Sequence, residues 1–131
     1  MNGLVGRRIL LIEDDPLVSM DIEDLLLDVN ASMVGPAQTT ALALMLLSDE
    51  RPDAAVLDMK LEGRSAMPVA DALSSLGVPF IVLTADVKAG AQAANDIAPV
   101  LAKPCEPDKL IAALIGVLGR RGDGPVTASV G

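Results

Sequence analysis

The sequence predicts an α/β domain: a parallel sheet wound with helices on both faces. Four short apolar runs point to it: Ile9–Ile12, Ala54–Leu57, Phe80–Leu83 and Val100–Ala102. Continuous runs of this length read as strands buried on both sides. Between them lie stretches with helical spacing of apolar residues, and such alternation favours a doubly wound sheet. Each run also stops at a residue suited to phosphate chemistry: Glu13-Asp14-Asp15, Asp58, Thr84 and Lys103-Pro104. In an open α/β sheet the ligand crevice lies outside the carboxyl ends of the strands, so these groups are expected to share one site.

The elements follow in order. Strand one is expected over Arg8–Ile12, and Pro16 suits the first position of the helix after it. That helix is expected to bury Leu17, Met20, Leu25, Leu26 and Val29, and to expose Asp21, Glu23, Asp24 and Asp28. Strand two, about Ser32–Ala37, is interrupted by Gly35-Pro36, which suits an edge strand. Helix two, about Thr39–Leu47, is apolar nearly all round and is expected to be well buried. Strand three covers Ala54–Met59, and Gly63 marks the loop beyond. Helix three covers Ala66–Leu76, with Pro68 in its first turn and Gly77 as its cap. Strand four is Phe80–Thr84. The Ala-rich segment Asp86–Ile97 offers few large anchors and reads as a short, weakly held helix. Strand five is Pro99–Ala102, and helix five runs from Pro107 to about Leu118, ended by Gly119. The small, polar residues 120–131 read as a disordered tail, leaving residues 1–119 as the domain.

Composition narrows the chemistry. The 131 residues fit one domain, 51% of them hydrophobic but only 1% aromatic, so the core is aliphatic apart from Phe80. The net charge of −8 and the lack of a basic stripe argue against direct nucleic-acid binding; Arg120-Arg121 is too small a cluster. No apolar stretch approaches the roughly 20 residues that span a bilayer, and Met1–Arg8 has no signal-peptide apolar region. One cysteine, Cys105, excludes an intrachain disulfide and suits a reducing compartment, so a cytoplasmic protein is expected. Nothing activates its thiol, which reads as inert packing. The absence of histidine removes His-ligated zinc and Ser-His or Cys-His catalysis. Carboxylate, hydroxyl and lysine chemistry remains.

If strands one and three lie side by side, Asp14 and Asp58 converge, strand two moves to the edge, and strands four and five bring Thr84 and Lys103. Two carboxylates about 4 Å apart repel by on the order of 4 kcal/mol at an effective dielectric near 20. A divalent cation relieves that, and an oxygen-only ligand set with open positions suits Mg²⁺. A carboxylate beside Mg²⁺ attacks phosphorus to form an aspartyl phosphate. The metal, Lys103 and the Thr84 hydroxyl then each take one phosphoryl oxygen.

On Ile9-Leu10-Leu11-Ile12-Glu13-Asp14-Asp15-Pro16, Val56-Leu57-Asp58-Met59-Lys60-Leu61, Pro79-Phe80-Ile81-Val82-Leu83-Thr84-Ala85 and Leu101-Ala102-Lys103-Pro104, the chain resembles a response-regulator receiver domain of two-component signalling. The resemblance covers roughly residues 7–119. It implies a flavodoxin-like (βα)5 fold of three layers with strand order 2-1-3-4-5. It implies Asp58 as phosphoacceptor and Thr84 and Lys103 as the phosphate-sensing pair. It places Mg²⁺ on Glu13, Asp14, Asp58 and the backbone carbonyl of Lys60, and makes Lys103–Pro104 a cis bond. A histidine kinase or phosphotransfer protein is the implied donor, and a downstream protein the implied partner. Many members carry an aromatic residue where this chain has Val100. The Thr84–Lys103 segment is also shorter than is usual, and Ala85 and Asp86 replace an expected Gly and Tyr. With Pro68-Val69-Ala70-Asp71 and Pro79-Phe80, these features look similar to stand-alone receivers with a reduced fourth helix.

Blander readings exist for each residue. Glu13, Asp14 and Asp15 alone read as a solvated turn capping a helix, and Asp15 is the best candidate for that role. Thr84 and Lys103 alone are ordinary strand and surface residues. Ile111, Leu114, Ile115 and Leu118 fit either a two-sided core helix or a partner or homodimer face. Three functions compete: a receiver that passes its signal by protein contact, a Mg²⁺-dependent phosphatase of the dehalogenase-like type, and an adaptor that needs no phosphate. The phosphatase wants a second acid two positions after the nucleophile, where this chain has Lys60. A receiver is a phosphoacceptor rather than an enzyme acting on other molecules, with self-catalysed gain and loss of phosphate.

Overall fold

The computed structural model describes residues 3–94 and 97–123. In chain order it contains β1 (Arg8–Ile12), α1 (Pro16–Asp28), β2 (Ser32–Ala37), α2 (Thr40–Glu50), β3 (Ala54–Asp58), β4 (Lys60–Leu61), β5 (Arg64–Ser65), α3 (Met67–Ser75), β6 (Phe80–Thr84), α4 (Val87–Ala94), β7 (Val100–Ala102) and α5 (Pro107–Asp123). The main sheet runs β2-β1-β3-β6-β7, all parallel, which is the 2-1-3-4-5 order expected for the five long-range strands.

Alternate residues of the strands feed two separate cores. Leu10, Ile12, Ala55, Leu57, Phe80 and Val82 point to one face, where α2 and α3 supply Leu47, Val69 and Leu73. Ile9, Leu11, Val56, Ile81 and Leu83 point to the other, against Ile22 and Leu26 of α1 and Leu110 and Leu114 of α5. The side-chain period of two sorts each strand this way, and burial on both faces explains why the runs lack polar alternation. Phe80, the sole aromatic, is buried in the first core.

Four expectations need correction. Helix α2 buries only Ala43 and Leu47, and leaves Leu44 and Met45 exposed. It covers the edge strand β2, where the sheet shields one side of a helix and solvent takes the other. Helix α1 does not bury Leu17 and Met20, which are 72% and 59% exposed. Its inward stripe is Ser19, Ile22 and Leu26, with Val18, Leu25 and Val29 partly buried, and at 100° per residue Leu17 and Met20 fall outside it. Helix α5 does not stop at Gly119 but continues to Asp123. Glycine costs a helix about 1 kcal/mol relative to alanine without ending it, and a Cβ at position 119 would meet nothing. Residues 120–123 of the expected tail are therefore helical, and the remainder, 124–131, lies outside the described residues. A small antiparallel hairpin, β4–β5, replaces the loop expected after β3. Its turn residues Glu62 and Gly63 both have positive φ, 54° and 77°, as a tight hairpin turn requires.

Other local expectations hold. Asp15 caps α1, its Oδ1 accepting from the Leu17 N–H at 2.9 Å, with Pro16 next. Gly77 follows α3 with φ 71°. Lys103–Pro104 is cis, and so is Gly35–Pro36 in β2. On α5, Leu114 and Leu118 are buried, and Ile111 and Ile115 are partly buried against the same core.

Candidate functional site

The register of the sheet assembles the polar strand ends. Ile12 pairs with Leu57, so Glu13 and Asp14 follow directly beside Asp58. Asp58 in turn pairs with Leu83, one residue before Thr84. Thr84 pairs with Ala102, and the Lys103 N–H donates to the Thr84 carbonyl at 2.9 Å. The sites of strand termination legible in the sequence thus become one hollow.

Each acid in the hollow is held separately. Glu13 is buried, and its Oε2 accepts from the Asp15 N–H at 3.0 Å. Asp14 Oδ2 accepts from the Glu62 N–H at 2.7 Å, so the β4–β5 hairpin clamps it. Asp58 is buried, and its Oδ1 accepts from the Lys60 N–H at 3.2 Å. Lys103 Nζ bridges two of them, 2.7 Å from Glu13 Oε1 and 3.1 Å from Asp58 Oδ2. Glu13, Asp14 and Asp58 each place a carboxylate oxygen within 4.8 Å of the others.

The electrostatics are uneven. Burial pushes the Glu13 carboxyl above its ordinary range; contacts with Lys103 and the Asp15 N–H oppose this, and the charge of Asp58 adds to it. Burial works against the charge on Lys103, yet the hydrogen bond it donates to Glu13, and the charge of Asp58 with the hydrogen bond Lys103 donates there, outweigh it and raise its affinity for the proton. One lysine therefore faces three acids. Glu13 Oε1, sealed from solvent, is held by its 2.7 Å ion pair with Lys103. Three carboxylates within 4.8 Å of one another, two of them ion-paired with Lys103, fit a hard divalent cation such as Mg²⁺, which takes oxygen ligands and retains water. The absence of histidine excludes imidazole from the donor set.

Thr84 ends β6, and its side chain is engaged by the backbone of Asp86. Its hydroxyl accepts from the Asp86 N–H at 3.0 Å and donates to the Asp86 carbonyl at 3.2 Å. The side chain of Lys60 is exposed. Cys105 is partly buried in the wall of a cleft of about 450 Å³ between α1 and α5, and burial pushes its thiol up, in keeping with an inert role. Sequence reasoning missed the Glu62 clamp and the Asp86 contact. Glu62-Gly63 was the available turn signal for the first; the second is a backbone contact with no residue signature.

A family model for the response regulator receiver domain matches residues 9–115. The transcriptional regulatory protein PdtaR of Mycobacterium tuberculosis is 32% identical over 85 residues, 64% of this chain and 42% of PdtaR. The phyllosphere-induced regulator PhyR of Methylorubrum extorquens is 36% identical over 84 residues, 62% of this chain and 32% of PhyR. The crystal structure of the response regulator PhyR from Brucella abortus aligns with a TM-score of 0.82 at 28% identity, over 97% of this chain and 54% of that one. The solution structure of the PhyR receiver domain from Erythrobacter litoralis aligns with a TM-score of 0.75 at 25% identity, over 90% and 94%. The alignments thus span less than half the length of these two curated relatives.

Proposed function

This chain belongs to the response regulator receiver domain family, and from that premise we propose that it accepts a phosphoryl group on Asp58 and signals by protein contact. The donor is a phosphohistidine on a histidine kinase or phosphotransfer protein. An Asp58 carboxylate oxygen attacks phosphorus as the P–N bond breaks; the electron pair stays on the departing imidazole, which takes up a proton. Glu13, Asp14 and Asp58, with the backbone carbonyl of Lys60, would hold Mg²⁺, which would supply positive charge against the phosphoryl oxygens. Lys103 already stands 3.1 Å from Asp58 Oδ2 and supplies a second positive charge to the incoming group. The Thr84 hydroxyl turns to a third oxygen. The protein is a phosphoacceptor that speeds its own phosphorylation and hydrolysis, not an enzyme acting on other substrates.

The convergence of Glu13, Asp14 and Asp58 within 4.8 Å supports this reading above all else. No described helix is long and apolar enough to cross a membrane, in keeping with work in the cytoplasm beside a kinase. Intact-mass measurement after incubation with acetyl phosphate and Mg²⁺ tests the proposal. The expected result is a gain of one phosphoryl group, lost in Asp58→Asn and with EDTA. A folded wild type that gains nothing favours the phosphate-independent adaptor instead.

A further inference from the structure

Thr84 grips α4 in two ways. Its hydroxyl exchanges two hydrogen bonds with the backbone of Asp86. Asp86 is also where α4 begins: its carbonyl accepts from the Gly90 N–H at 2.9 Å, and its Oδ1 accepts from the Ala89 N–H at 3.1 Å. The methyl of Thr84 is the second grip. A Cβ added at Gly90 would stand 2.8 Å from Thr84 Cγ2 and 3.2 Å from Val100 Cγ1. The first distance is shorter than side chains tolerate, so among natural residues only glycine lets α4 lie this close to β6 and β7. Gly90 is buried in that contact.

We propose that Gly90 is a positioning residue for the Thr84 hydroxyl, and the point at which a turn of Thr84 passes directly into α4. This rests on the phosphoacceptor reading of Asp58. A threonine side chain moves between staggered wells rather than drifting. Carrying the hydroxyl toward a phosphoryl group breaks both bonds to Asp86 and swings the methyl along the bare backbone of Gly90. The helix loses its tie to Thr84 and its packing surface in one step. Val100, where many relatives carry an aromatic ring, lines the same contact and leaves no room there for a large side chain.

Three-bond couplings to the Thr84 methyl report its rotamer, and backbone amide shifts of Val87–Gln92 report α4. In wild type, acetyl phosphate with Mg²⁺ should change the rotamer and shift those amides together. In Gly90→Ala without any phosphodonor, the new methyl collides with Thr84 Cγ2. The rotamer should change and the α4 amides should move toward their phosphorylated positions. The double variant Thr84→Ser with Gly90→Ala keeps the hydroxyl, removes Cγ2, and should return the amides to their wild-type positions. A general effect of alanine on α4 would not be reversed by serine at 84. Unchanged amides and rotamer in Gly90→Ala overturn the proposal, as does a double variant that fails to recover. Should Gly90→Ala alone not fold, a folded double variant supports the collision and an unfolded one overturns it. The measurements without phosphodonor are read even if Asp58 takes no phosphate, which separates failure of this inference from failure of the phosphoacceptor reading.

Discussion

Every residue of β3, and all of β1 after Arg8, is buried between two helical layers, whereas β7 is three residues long and none of them is buried. The polar groups differ in the same way. Beside β1 and β3, Glu13, Asp14 and Asp58 each accept a backbone N–H, and Lys103 bridges two of them. Beside β6 and β7, the Thr84 hydroxyl is bonded to the backbone of Asp86, the residue just before α4. Under the proposed function, the carboxylates that must align for phosphoryl transfer sit on the well-anchored half, and the half that would rearrange is held by fewer contacts, as elements that move generally are.

This contrast is open to direct attack. Leu57→Ala, deep in the first core beneath the acids, should destabilise the fold by about 2–5 kcal/mol in urea titrations. A loss under about 1 kcal/mol would mean that β3 is not the rigid support described. Saturating Mg²⁺ should raise stability by about 2.7 kcal/mol at a hundredfold excess over its dissociation constant. Asp14→Asn should remove most of that gain in thermal melts, and an undiminished gain would place the metal elsewhere.

A third test uses Glu13. Its folded pKa is raised by burial above the ordinary 4.5, so its stabilising contribution is complete below that value and is lost as pH rises through the raised one. Glu13→Gln has no such loss. In Mg²⁺-free buffer the stability of the variant relative to wild type should climb as pH rises from 4.5 toward neutrality. A flat difference would show that the carboxyl is not strained by its surroundings. The smallest effect is expected on the yielding half: Val87→Ala, at a position 43% exposed on α4, should change stability by no more than about 0.5 kcal/mol. Hydrogen exchange should show α4 amides opening locally while those of β1 and β3 exchange only on global unfolding.

The rigid half was the legible one. Runs such as Ile9–Ile12 and Ala54–Leu57 carry their burial in their composition, and the acid that ends each run marks the crevice. Composition misled where it was uniform. Helix α2 is apolar on every side, yet its position over the edge strand decides that Met45 faces water. On α1 the choice among Leu17, Met20, Ile22 and Leu26 depended on a rotation about the helix axis that an apolar-rich stretch does not fix. The Glu62 and Asp86 contacts are donated by or shared with backbone atoms, which every residue has, so no side-chain identity announces them. Gly90 lies in the segment that read as a weakly held helix, and a reason for it appears only once Thr84 lies against it.

The lone buried Phe80 has a practical corollary. With neither tryptophan nor tyrosine, the chain is almost dark in the near ultraviolet. A single indole introduced by Val87→Trp, at a position already open to solvent, would then be the source of essentially all the emission. Movement of α4 becomes something a benchtop fluorimeter reads in real time, without an attached dye and with no background to subtract.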